Sequence, residues 1–224
     1  MAYHAPVFDG LAVLVTNATT VLGGAIVAAL TDAGARVAAV DGGFTDRRSA
    51  ETAFAVLTDV DAVVHVCVDE RALVAQPLID TEPNDWELRG EALIGEAIFT
   101  FQAAFSAFTG GPGRIVLVAP TVGFTGAAGL VPYTTAVEGV RAMAKSAARQ
   151  WGPQAITVNT VMVPPDLVAP VLVTNTTFNA PPVVGRIPEV RTDVMEAIGL
   201  FTCANATAVT GATVIVDGGS VMAP

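Results

Sequence analysis

Tyr133 opens an apolar run in the second half of the chain, Y-T-T-A-V-E-G-V. A phenol can pass a proton, but its ordinary pKa is about 10, so roughly 0.1% or less is ionised at neutral pH. A cation at i+4 on a helix would share the tyrosine's face and lower that pKa. Position 137 holds valine instead. His65, in the run D-A-V-V-H-V-C-V (61–68), is a second group with proton chemistry. A lone histidine near a strand end is read first as structural. The two cysteines, Cys67 and Cys203, are too few for a disulfide framework or a cysteine metal site.

The segments that would position these groups alternate in type. Short β-branched runs at 11–16, 36–41, 61–68, 114–119, 155–162 and 212–217 read as strands. Longer Ala-rich periodic runs at 22–33, 47–58, 86–108, 133–151 and 188–204 read as helices. Gly34 follows the first helix as a stop, and Asn84 reads as the cap of the long one. Continuously apolar strands separated by helices imply a parallel sheet covered on both faces, wound with right-handed crossovers. One α/β domain over 1–224, a Rossmann-like doubly wound sheet, is the simplest organisation. The helix 86–108 is apolar on every side, so it needs cover from more than one direction, from this chain or from another subunit.

Bulk properties narrow the partners. The chain has 224 residues, is 52% hydrophobic and 14% charged, and has a mean hydropathy of +0.58. Some of that apolar surplus is expected in subunit interfaces. A formal charge of −10 repels phosphate backbones and anionic lipid, so neither nucleic acid nor a membrane surface is an expected partner. The first ten residues show no basic stretch followed by an apolar one, and a cytoplasmic location is expected.

The turn V-T-N-A-T-T-V-L-G-G-A-I-V (15–27) lies between the first strand and the first helix, where dinucleotide folds hold pyrophosphate at a helix N-terminus. Here the chain resembles the short-chain dehydrogenase/reductase family, whose turn reads T-G-x-x-x-G-x-G. Thr16 matches the threonine, Asn17 and Val21 replace the first two glycines, and Gly23 keeps the third. Asn tolerates a left-handed turn, whereas a branched valine obstructs close approach of phosphate. Asp41 ends the second strand, where the family places an acid on the adenosine ribose of NAD. Asn17, Thr20, Leu22, Gly23 and Asp41 are the residues left to hold a nucleotide. The expectation is that none binds tightly, with NAD(H) the choice if one does. Only residues 42–60 separate the second strand from the next, so the family's third strand is expected to be missing.

The resemblance also locates the family's four catalytic positions. G-R-I-V-L-V-A-P-T-V-G (113–123) follows the family's strand pattern and puts Pro120 at the serine. Tyr133 takes the tyrosine position, Val137 the lysine and Leu93 the asparagine. Thr121 and His65 are the groups that could stand in. The C-terminal stretch 185–219 follows the family closely, through Thr210, Gly211, Asp217, Gly218 and Gly219. In the family this end and the two long helices build subunit interfaces. The resemblance therefore implies a non-catalytic subunit paired with an active family member, or with itself as a dimer or tetramer. The alternatives are a divergent NAD-dependent alcohol, hydroxyacyl or keto oxidoreductase using Tyr133, and a non-catalytic ligand-binding module.

Overall fold

The computed structural model describes residues 7–108, 110–175 and 180–222. In chain order the elements are β1 (Ala12–Thr16), α1 (Val21–Asp32), β2 (Arg36–Val40), α2 (Arg47–Phe54) and β3 (Ala62–Val66). Then come α3 (Pro83–Trp86), a π turn (Glu87–Glu91), α4 (Ala92–Ala107), β4 (Gly113–Pro120), α5 (Val122–Thr125) and α6 (Val131–Trp151). The chain continues through β5 (Ile156–Val163), α7 (Pro170–Asn175), α8 (Met195–Thr202) and β6 (Thr213–Ile215).

The six strands form one parallel sheet in the order β2-β1-β3-β4-β5-β6. β3 pairs with β1, so β2 is an edge, and among the described residues no strand lies outside it. That matches the expected loss of one strand.

Period-2 alternation divides the core. Leu14, Val63, Ile115 and Val158 pack with Phe54, Phe101 and Phe108, while Val13, Val15, Val64 and Val116 pack with Leu22, Ile26, Leu30, Ile198 and Phe201. Helices α1 and α8 cover one face, and α2, α4 and α6 line up across the other, α4 in the middle.

This arrangement answers the question of the all-round apolar helix. With one strand fewer, α2 folds directly onto α4 and covers Phe101, Ala104 and Phe108. Arg47 and Glu51 of α2 both bond Ser106 of α4, at 3.1 and 2.9 Å. Leu88, Ile98 and Phe105 stay exposed.

Several boundaries differ from the sequence reading. The long helix begins at Pro83, with Glu82 as cap rather than Asn84, because proline suits a first turn that has no amide partners. The Glu82 N–H is taken by Asp85 at 3.3 Å. The helix then passes through the π turn around Gly90, whose missing side chain admits the Pro132 carbonyl, a Cβ there falling 3.3 Å from it. The last strand is shorter than 212–217, and the loop after β5 carries α7. No helix of the described residues is long and apolar enough to cross a membrane.

Candidate functional site

In an open parallel sheet, ligands bind at the carboxyl ends of the strands. Here those ends carry Asn17 after β1, Asp41 after β2, Cys67 after β3, Pro120 at the end of β4 and Pro164 after β5.

The turn after β1 keeps its shape with different chemistry. Asn17 sits at φ 54°, a conformation asparagine accepts better than most residues. Thr20 caps α1: its hydroxyl donates to the Asn17 carbonyl at 2.7 Å and accepts the Gly23 N–H at 3.1 Å. Gly23 is required, since a Cβ there would lie 2.1 Å from the Asn17 carbonyl oxygen. Val21 starts α1 with its side chain 73% exposed. The Leu22 side chain turns into the core, leaving only its backbone for any ligand.

The Asn17 side chain points inward. Its amide donates to the Val66 carbonyl at 2.8 Å and to Glu96 Oε1 at 2.7 Å. The other Glu96 oxygen accepts the Gly43 N–H at 2.9 Å. One carboxylate from α4 thus ties the turn after β1 to the loop after β2. Gly42 passes so close that a Cβ would fall 1.8 Å from Asn17 Oδ1 and 2.4 Å from Glu96 Oε1. Burial raises the Glu96 pKa, and the bonds from Gly43 and Asn17 pull against it.

Above this knot lies a cleft of about 430 Å³, lined by Thr20, Asp41, Asp69, Glu70, Arg71 and Glu96 among others. Among the described residues its acids outnumber its one cation, and Arg71 already pairs with Asp69 at 2.7 Å. A diphosphate would enter against the charge.

Tyr133 is fully buried. Its hydroxyl donates to the Cys67 carbonyl at 3.0 Å. Burial pushes its pKa well above the ordinary value, and Cys67 and Asp69 add to the rise. Val137 and Leu93 lie in the same buried core. Pro120 ends β4 beside Val163, and the next amide, Thr121 N–H, donates to the Val163 carbonyl at 2.8 Å.

His65 is buried on β3, its Nδ1 2.7 Å from the Thr16 hydroxyl and its ring edge-on to Phe101 at 6.3 Å. Nε2 has no partner among the described residues. Burial lowers its pKa to about 4, so it is neutral at physiological pH. The structure therefore gives Tyr133 and His65 separate partners, neither of them the other.

Sequence reasoning missed Glu96. Its signal was a lone carboxylate in an otherwise apolar stretch, A-L-I-G-E-A-I-F. Such a charge, if buried, must find donors.

The parallel six-stranded sheet, with a turn and helix N-terminus at its carboxyl edge, defines a Rossmann-like α/β protein. The family model described as enoyl-(acyl carrier protein) reductase matches residues 8–221, and the chain belongs to this short-chain dehydrogenase/reductase family. No curated protein matches it.

Proposed function

We propose that the chain is a non-catalytic member of its family that works as a subunit beside a catalytically intact relative. The observation that carries this reading is the Tyr133 phenol: it is fully buried, spent on the Cys67 carbonyl, and has valine one turn on. A phenol in that setting stays protonated and, among the described residues, has no cation to help it release a proton. The acidic cleft and the Asn17–Glu96–Gly43 knot support the companion reading that NAD(H) is not held tightly.

Support for an oligomer comes from α4 and α6. Leu88, Ile98 and Phe105 are exposed along the π turn and α4, and the exposed side of α6 carries the small residues Thr135, Gly139, Ala142 and Ser146 beside the longer Lys145, Arg149 and Gln150. Exposed apolar groups beside a small-residue surface suit helix-on-helix packing with another subunit.

The test has two arms. The purified chain is titrated with NADH, following fluorescence and melting temperature, and assayed for hydride transfer on alcohol, hydroxyacyl and keto substrates. It is also co-expressed with an intact family member from the same genome. Stable co-purification without turnover or saturable nucleotide binding by the chain alone is the expected result. Turnover that disappears in Tyr133→Phe would instead establish a divergent NAD-dependent oxidoreductase. That second reading draws on the retained Gly23 and on Asp41 lining the cleft.

A further inference from the structure

β2 forms one rim of the sheet, and among the described residues its only neighbouring strand is β1. The Arg36 N–H donates to the Leu11 carbonyl at 2.8 Å, and the Val40 carbonyl accepts the Ala18 N–H at 3.2 Å. Alternate residues of a parallel strand serve one neighbour, so Arg36, Ala38 and Val40 turn their backbone groups to β1, and Val37 and Ala39 turn theirs outward. We propose that this open edge pairs antiparallel with β2 of a second copy of the chain, joining the two sheets into one.

The strand leaves its edge unguarded. Natural edges are blunted by lysine, by proline, by a bulge or by a charge within the strand. R-V-A-A-V carries neither lysine nor proline, its register with β1 is unbroken, and its one charge stands at the first residue. Ala39 is exposed, and Val37 and Ala38 are half-buried. The middle of the strand, Ala38 and Ala39, puts little side-chain bulk in the way of another backbone.

Charge selects the occupant and its direction. Arg36 and Asp41 bracket the edge, both are exposed, and neither side chain makes a hydrogen bond or ion pair among the described residues. A parallel copy would set Arg36 beside Arg36 and Asp41 beside Asp41. An antiparallel copy sets Arg36 of each chain beside the end of the other that carries Asp41. Pairing about a two-fold axis also closes the assembly, since each copy offers and uses the same edge. Full overlap of the two strands centres that axis on Ala38. Val37 of each copy then exchanges both backbone bonds with Ala39 of the other. The contact is short, below the size of a standard interface, so the dimer should be weak, with a Kd on the order of 100 µM. The edge uses neither α4 nor α6, so the proposal stands whichever subunit packs against those helices.

The test compares the mass of the full chain with that of its variants by sedimentation, from about tenfold below that Kd to about tenfold above it. Ala39→Pro removes an outward N–H and no bond to β1, at a place where an edge strand tolerates proline. It should weaken association about tenfold or more. Arg36→Asp should weaken it about tenfold, and Arg36→Asp combined with Asp41→Arg should restore it. In a Cys203→Ser background, which leaves only the buried Cys67, Ala38→Cys should cross-link to its own copy under mild oxidation. The facing Cα atoms would lie about 4.5 Å apart, within reach of a disulfide. The Val37 and Ala39 amides should exchange with deuterium freely in the dilute, dissociated chain and more slowly as concentration rises. Circular dichroism checks that each variant folds. Equal masses for wild type and Ala39→Pro throughout the range would overturn the proposal and leave the edge to a strand from another protein. A double charge variant that associates no better than Arg36→Asp, or an Ala38→Cys variant that yields no cross-linked dimer, would overturn it as well.

Discussion

The Tyr133 hydroxyl is bonded to the Cys67 carbonyl at 3.0 Å, which anchors the first turn of α6 to the end of β3. Removing the hydroxyl leaves a buried carbonyl short of its donor. Tyr133→Phe should therefore cost about 1–3 kcal/mol in urea denaturation. Stability unchanged within a few tenths would mean that the bond contributes nothing.

Val137→Lys tests whether the missing cation can be put back. Position 137 is fully buried, and a Cβ on Gly123 would fall 2.9 Å from Val137 Cγ1, so the space is already filled. The longer charged side chain should destabilise the fold by about 3 kcal/mol or more, without creating hydride transfer. Wild-type melting together with new dehydrogenase activity would contradict the packing described for this helix.

Asn17→Gly separates backbone relief from side-chain bonding. Glycine adopts φ 54° freely, but the change removes both amide bonds, to Val66 and to Glu96. Glu96 would keep Gly43 and lose its other donor. The net loss should be about 1–3 kcal/mol, because a buried carboxyl group short of a donor outweighs the relief of turn strain. Nucleotide affinity should not appear, since the acids lining the cleft remain.

His65 should shape the acid limb of stability. Its pKa is about 4 in the folded chain against an ordinary 6.5. Between those values the unfolded chain takes up a proton that the native one refuses, so stability falls as pH drops from 6.5 towards 4. The loss from this group approaches about 3 kcal/mol and stops once both states are protonated. Glu96, whose pKa is raised, acts in the opposite sense above its ordinary value of 4.5. Urea titrations of wild type and His65→Gln across this range should show a flatter acid limb in the variant. Parallel limbs would remove His65 as the cause.

Much of the fold was legible because the runs are strongly periodic. The strands at 11–16, 36–41 and 114–119 needed only β-branched content, and the short span 42–60 was enough to expect a missing strand. The π turn around Gly90 was not legible, because the close neighbour its bare backbone admits is Pro132 of α6, far along the chain. The same holds for the knot at the cleft. Asn17 and Glu96 are 79 residues apart, and Glu96 and Gly43 are 53 apart. Matching Tyr133 to a family position could not say where its hydroxyl would point. That was decided by the Cys67 carbonyl, 66 residues away.

The place of β2 at the rim of the sheet has a kinetic consequence. One row of its backbone amides faces away from β1 with no neighbouring strand among the described residues, whereas β3 is flanked on both sides. Deuterium should therefore enter the outward row of this five-residue strand long before it reaches the middle of the sheet, and the boundary between fast and slow labelling would trace the open rim of the fold.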